Sequence, residues 1–256
     1  MIKIVDLHKS FGAQEVLKGV NLEIPKGKIT FIMGRSGTGK SVLLKHIIGL
    51  MVPDRGKILV DGEDITRLSE RELMRLRKRF GMLFQEGALF DSLTVGENVA
   101  FPLREHTNLS EKEIQARVEA KLAQVGLLEA IDKMPAELSG GMKKRAALAR
   151  ALALDPEIVL FDEPTTGLDP LMQESIARLI KETQETHHLT CVVISHDVPV
   201  AFAIADKIAF LHEGVVIEEG SPEEIRRSQH PFVKKFIRAL PTGFKEEDYE
   251  KDGPRP

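Results

Sequence analysis

The chain has 256 residues, with 42% hydrophobic and 29% charged content, which is ordinary globular composition at a length that buries a sizeable core. Its 36 basic and 39 acidic residues leave a net charge of −3, which removes the electrostatic footing for general nucleic-acid binding. A lone cysteine, a start "MIKIVDLHKSF" with no apolar signal core, and no uncharged apolar run near the ~20 residues of a membrane span predict a reducing, cytoplasmic setting. Any membrane role then comes through a partner.

In chain order, "IKIVDL" and "VNLEI" alternate apolar and polar residues as half-buried strands do. "KITFIMG" is an apolar run ending in glycine, the profile of a central strand, and "SVLLKHIIGLM" reads as a buried helix. "GKILVDGEDI" predicts a hairpin turning at Asp61-Gly62. In "SERELMRLRKRF", Leu73, Leu76 and Phe80 form a helical stripe beside a solvated basic face. Helical patterns dominate from about 87 to 155, as in "EKEIQARVEAKLAQVGLL". Strands return with "IVLFD" and "TCVVIS", where Cys191 reads as a small core hydrophobe. Near the end, "HPFVKKFIRAL" sets Phe232, Val233, Phe236, Ile237 and Leu240 on one helix face, and residues 241–256 form a polar, acidic tail.

"GRSGTGKS" fits G-x-x-x-x-G-K-[ST] between a predicted strand and a helix. Its glycines let successive backbone N–H groups face one anion, and the following helix adds its positive end. Gly34, Arg35, Ser36, Gly37, Thr38, Gly39, Lys40, Ser41 and Val42 are therefore candidate ATP-phosphate ligands. Lys40 reaches the β- and γ-phosphates, and Ser41 offers a hydroxyl to Mg²⁺. "IVLFDE" is a buried strand delivering Asp162 for the Mg²⁺ shell and Glu163 to polarise an attacking water. Gln85, after "GMLF", is placed at a strand end for Mg²⁺ or that water, and His196, after "VVIS", for the γ-phosphate. His187 and His188 read as surface residues.

"LSGGMKKRAALARAL" sets Ser139 as an N-cap with Gly140 and Gly141 leaving backbone N–H groups bare, a second anion-gripping helix start. Taken in isolation, a well-capped helix with a glycine turn is the more economical reading of this stretch. Because the first loop already surrounds the phosphates from one side, a motif in a separate helical stretch is suited to a second copy of the chain. That predicts a head-to-tail dimer with nucleotide sandwiched between subunits.

These motifs, in this order and with "TGLD" after the acidic pair, resemble an ABC transporter ATPase subunit over roughly residues 1–225. The resemblance implies an α/β P-loop NTPase fold with a RecA-like core, an antiparallel β subdomain and a helical subdomain inserted at about 87–155. Residues 1–240 would form one ATPase domain. It also implies that Phe11 stacks on adenine beside Val16, that Ser139 and Gly141 grip the γ-phosphate in trans, that Glu163 is the general base, and that Asp169 lies at the dimer interface. Most of the family has Tyr where this chain has Phe11, and Phe keeps the stacking face.

Most of the family also has Gln at Met142. "AELSGGMKKRAALARALALDPEIVLFDEPTTGLDP" and "GALFDSLTVGENVAFPL" are similar to the Mla/Mce-type branch, which moves phospholipids or related lipids between membranes of double-membraned bacteria. Met142 marks the branch rather than the chemistry. The branch implies a permease, a Mce-type lipid-binding protein and a small accessory subunit as partners, at the cytoplasmic face of the inner membrane. A polar-solute importer would share every catalytic motif. A soluble ABC ATPase acting on nucleic acid or ribosomes would usually carry a coiled-coil insertion or a second cassette.

Overall fold

Alternating runs near the N-terminus pair into an antiparallel sheet, and uninterrupted apolar runs pair into a second, mostly parallel one. The computed structural model describes residues 1–238, so the tail expected at 241–256, and Leu240 of the apolar stripe, lie outside the described residues. The first sheet has the order β2-β1-β4-β5, formed by β1 (Ile2–Phe11), β2 (Gln14–Ile24), β4 (Arg55–Val60) and β5 (Glu63–Asp64). Asp61 and Gly62 both have positive φ, at 50° and 91°, which suits a two-residue turn between twisted strands.

The second sheet has the order β10-β9-β3-β8-β7-β6, from β3 (Ile29–Met33), β6 (Phe80–Leu83), β7 (Ile158–Asp162), β8 (Thr190–Ser195), β9 (Lys207–His212) and β10 (Val215–Gly220). Every residue of β3 and β8 is buried, as strands covered on both faces require. β3, β6, β7 and β8 run parallel, with Met33 opposite Ser195, Asp162 opposite Ile194 and Leu83 opposite Phe161. Their C-terminal ends therefore lie along one edge, and the loops that leave them meet there.

Helices cover both faces. α1 (Lys40–Ile47) and α2 (Glu70–Arg77) lie with the antiparallel sheet around Ile4, Leu22, Leu44, Ile58 and Leu160. On the other face pack α3 (Val95–His106), α4 (Glu111–Gln124), α5 (Gly140–Ala151), α6 (Pro170–His187), α7 (Val198–Ile204), α8 (Pro222–Arg226) and α9 (Pro231–Ile237). Val99, Leu122 and Ala147 of the helical stretch share one cluster with Phe161, Cys191 and Val193 of the sheet. Ser69, Thr94, Ser110 and Ser221 each open a helix with a reciprocal capping box, which is why these helices start where they do.

One expectation is corrected. Phe80 satisfies the helical period after Leu73 and Leu76, yet α2 ends at Arg77 and Phe80 begins β6, opposite Ile158. All three side chains still reach the same core. Parallel pairing with β7 decides the backbone there, and periodicity alone does not carry that information.

Arg79 ties the two sheets together. It donates to both carboxylate oxygens of Glu157, at 3.0 and 2.9 Å, and to Asp61 at 2.5 Å. Asp61 also accepts from the Met1 ammonium at 2.7 Å. That ammonium, then Arg79, holds the Asp61 carboxyl down to about 2. A carboxyl depressed in the folded state contributes stability above its unfolded value, and that contribution is lost as pH falls through about 2. Asp61→Asn is therefore expected to cost about 1 kcal/mol or less at neutral pH, because the pair is part-exposed and solvent-screened. Urea midpoints across pH should show wild type and variant converging toward pH 2.

Candidate functional site

The loop from β3 to α1 curls because Gly37 and Gly39 take left-handed φ values of 79° and 96°. Gly34 is needed for another reason: a Cβ there would stand 2.3 Å from the Leu211 carbonyl oxygen. Gly39 ends the loop without any side-chain cap, and the first turn of α1 carries no acid. Its backbone N–H groups and positive helix end are left for an anion. Arg35, Ser36 and Gly37 are exposed along the rim, with Thr38 half-buried and donating to the Arg35 carbonyl at 2.9 Å.

Lys40 is 7% exposed. Its ammonium donates to the carbonyls of Gly34 at 2.9 Å and Arg35 at 3.0 Å, and Glu163 Oε1 lies 3.8 Å away. Burial pushes Lys40 below the usual lysine range, against the opposing pull of Glu163 and Asp162. Burial likewise raises the Asp162 carboxyl, whose Oδ1 accepts from the Ser41 hydroxyl at 3.2 Å. An anion beside Lys40 and a cation beside Asp162 would each favour the charged form against that burial. The Ser41 hydroxyl and Asp162 carboxylate are hard oxygen donors at the mouth of this loop. That set fits Mg²⁺, which takes one or two carboxylates with phosphate and water oxygens completing the shell.

Glu163 follows β7 in a left-handed conformation, φ 49°, while its N–H continues the ladder to the Ile194 carbonyl at 2.9 Å. This strained backbone turns the carboxylate, 12% exposed, toward the loop after β8. Its Oε2 lies 2.8 Å from His196 Nδ1 and accepts from the Thr166 hydroxyl at 3.0 Å. His196 is 57% exposed and opens toward solvent. Beneath it, Thr165 donates to Asp197 at 3.2 Å and fastens the two strand-end loops together.

Gln85 is exposed two residues beyond β6, and its carbonyl accepts from the Lys144 ammonium of α5. Phe11 ends β1 with its ring exposed and the Lys9 ammonium 5.7 Å from its centroid. Val16 lies on the same hairpin, against the loop: a Cβ on Gly39 would stand 2.9 Å from Val16 Cγ1. Val42 is half-buried behind the loop in α1. The loop after β3, Ser41, Asp162, Glu163 and His196 are therefore brought together within one chain.

Ser139, Gly140 and Gly141 stand elsewhere. Ser139 caps α5 by accepting from the Met142 N–H at 3.3 Å, leaving the Gly140 and Gly141 N–H groups uncapped. Their neighbours are Leu168 and Met172: a Cβ on Gly140 would meet Leu168 at 3.3 Å, and one on Gly141 would meet Met172 Sδ at 3.0 Å. Asp169 is exposed in the same loop and caps α6 through the Met172 N–H at 3.1 Å. Met142 is half-buried and packs against the core beneath α5.

Two features escaped sequence reasoning. Lys144 is buried, its ammonium pushed down by burial and pulled back by Glu86, Asp162 and Glu163. Its signal is spacing, since Gly141, Lys144 and Ala147 fall on one buried face of α5. Arg150, two turns on, donates to the carbonyls of Gly87 at 2.8 Å and Ala88 at 2.7 Å. α5 thus grips residues 85–88 by two cations. That segment leads into an apolar groove of about 450 Å³ lined by Met74, Phe84, Phe90, Phe101 and Pro102. The Phe90 and Phe101 rings lie 4.8 Å apart, both part-exposed.

Residues 17–166 match the family model described as ABC transporter. Over 98% of its length the chain is 48% identical to the intermembrane phospholipid transport system ATP-binding protein MlaF of Haemophilus influenzae, covering 97% of that protein. Over 97% of its length it is 44% identical to the probable ribonucleotide transport ATP-binding protein mkl of Mycobacterium leprae, covering 73% of that protein. Among solved structures, the ATP-binding cassette MJ0796, dimeric in a post-hydrolysis state with ADP and Pi, superposes with a TM-score of 0.80 at 36% identity. That match covers 87% of this chain and 99% of the other.

Proposed function

The chain belongs to the ABC transporter family, and from that premise we propose that it is the ATP-hydrolysing motor subunit of a transporter moving phospholipids or related lipids between membranes. It works as a head-to-tail dimer on a membrane permease. The observation that carries this reading is the convergence of Lys40, the Ser41–Asp162 pair and the Glu163–His196 pair at one edge of the parallel sheet. Residues 34–42 hold the phosphates of ATP, with Phe11 stacking on adenine and Val16 beside it. Ser41, Asp162 and Gln85 hold Mg²⁺, which neutralises charge on the phosphates. Glu163 takes the proton of the attacking water, His196 orients Glu163 and contacts the γ-phosphate, and Lys40 follows the charge onto the departing phosphate. Ser139, Gly140 and Gly141 of the second copy close the site from the far side, with Asp169 at the interface.

Among the described residues, no helix is long and apolar enough to cross a membrane. The groove at Phe84, Phe90 and Phe101 is the seat for a helix of the permease, which holds the motor at the cytoplasmic face of the inner membrane. The grip of Lys144 and Arg150 on residues 85–88 joins that seat to the catalytic edge. Lipid cargo suits an ATPase. Each acyl CH₂ exposed to water costs about 0.8 kcal/mol, so two long chains put a barrier on the order of 20 kcal/mol on unassisted desorption. The relative named for ribonucleotide transport favours a polar cargo instead. The selecting cavity belongs to another chain, so the test must identify the partner.

The experiment is affinity capture of the Glu163→Gln chain from detergent-solubilised native membranes, with mass spectrometry of proteins and lipids. A permease, a Mce-type lipid-binding protein, a small accessory subunit and phospholipid are expected. A permease with a soluble nucleotide-binding protein would replace the lipid assignment. Ribosomes or nucleic acid alone would overturn the transporter reading. Phe101→Asp is expected to cut permease recovery by about thirty-fold or more, the weight of a central interface aromatic, and to leave ATP binding unchanged.

A further inference from the structure

A second large cavity, about 820 Å³, opens beside the phosphate loop. Arg35, Ser36 and His196 stand at its mouth, and Val198, Phe232 and Phe236 line it. Its walls are firmly built. Phe232 stacks on His212 at 3.8 Å between centroids, and Phe236 packs edge-on against the buried Phe210 at 5.3 Å. An apolar hollow that shares its rim with a catalytic site is a docking surface continuous with whatever closes that site.

The matching protrusion is on the same chain, at the start of α6. Leu171 is 76% exposed, the largest exposure of any large hydrophobic side chain among the described residues, and Met172 beside it is also exposed. Met172 is packed against the start of α5, where its Sδ lies 3.0 Å from the position of a Gly141 Cβ, and Leu171 is its chain neighbour. A second copy that brings Ser139 to Gly141 over the γ-phosphate carries Leu171 and Met172 with them toward the face where the cavity opens.

We infer that the cavity between the phosphate loop and α9 is the socket for Leu171 of the second copy in the ATP-closed dimer. The inference rests on the proposed trans role of Ser139. It assigns α9 a part in the dimer: Phe232 and Phe236 complete an apolar contact that is made only when the nucleotide is sandwiched. The plug is offered to water in the open state and withdrawn from it in the closed state, so ATP binding and apolar burial become one event.

The test is site-directed cross-linking in the Glu163→Gln chain, which accumulates the closed dimer. Leu171→Cys and Lys235→Cys, at the socket wall, are combined and treated with a short bis-maleimide. Native Cys191 is fully buried and its thiol is pushed up by burial, so it stays unreactive. Cross-linked dimer is expected with ATP and Mg²⁺, absent without nucleotide, and absent from either single variant. In parallel, Leu171→Asp is expected to raise the dimer dissociation constant by about ten-fold or more, with ATP binding per chain unchanged and Leu171→Met restoring dimerisation.

The failures are distinguishable. If size-exclusion shows no ATP-dependent dimer of the Glu163→Gln chain, the sandwich reading falls and the socket with it. If the dimer forms but the double variant does not cross-link, the socket assignment alone is overturned. Cross-linking by Leu171→Cys alone would seat each Leu171 against its twin, which also overturns it. Cross-linking gained only after truncation at residue 239 would give the socket to the chain's own C-terminal segment.

Discussion

Replacing Glu163 with Gln is expected to leave ATP binding intact and to lower turnover by about 10²–10⁴, the usual weight of a general base. The amide is isosteric, so its oxygen can still accept from Thr166 and face His196, at 3.0 and 2.8 Å in the native chain. What disappears is the basic oxygen that takes a proton from water. The phosphate cradle does not use Glu163, since Lys40 is held by the carbonyls of Gly34 and Arg35 and the helix end by Gly39. Labelled-ATP binding and phosphate release, measured side by side, separate the two effects. Turnover near the wild-type rate would remove Glu163 from the chemistry and pass the role to another group at the same edge. A matching loss of binding would instead make Glu163 a structural counter-ion for the Lys40 ammonium, 3.8 Å away.

Much of that edge is legible in the sequence because its features are local. The phosphate loop is eight consecutive residues between an apolar run and a helix. Asp162 and Glu163 end another apolar run, and His196 a third. A parallel sheet places the ends of such runs together. The pairings made between distant positions have no local pattern. Arg79 meets Glu157 across 78 positions, and Lys144 reaches the Gln85 carbonyl across 59. Each is an ordinary basic residue until the fold brings its partner. Phe80 shows the converse, a local pattern that the fold overrides, since period 3.6 fits and strand pairing with Ile158 wins. Met142 is the intermediate case. The sequence marks it as unusual, and the structure adds a half-buried place against the core beneath α5.

Ser139 offers the sharper test, because its two roles respond oppositely to one substitution. As an N-cap it accepts from the Met142 N–H, and Ser139→Ala should cost about 1 kcal/mol of stability. Aspartate caps as well as serine and suits the positive helix end, so Ser139→Asp should fold at least as stably as wild type. If capping were the whole role, Asp would also match wild type in ATPase rate. With Ser139 facing a γ-phosphate, Ala should lower turnover by about 10²-fold, as loss of an anion-stabilising donor does. Asp should lower it by about a further ten-fold or more, since it sets like charges together. The expected order is wild type, Ala, Asp for rate, and wild type level with Asp above Ala for melting temperature. Mixing then locates the site. In a head-to-tail dimer of a Ser139→Asp chain with a Lys40→Ala chain, one site keeps a native phosphate loop and a native Ser139 while the other carries both lesions. Phosphate release from the mixture should exceed the sum of the two inactive variants. No gain on mixing, in a sample shown to contain the mixed dimer, would return Ser139 to its own chain's nucleotide and leave the two anion-gripping helix starts unconnected.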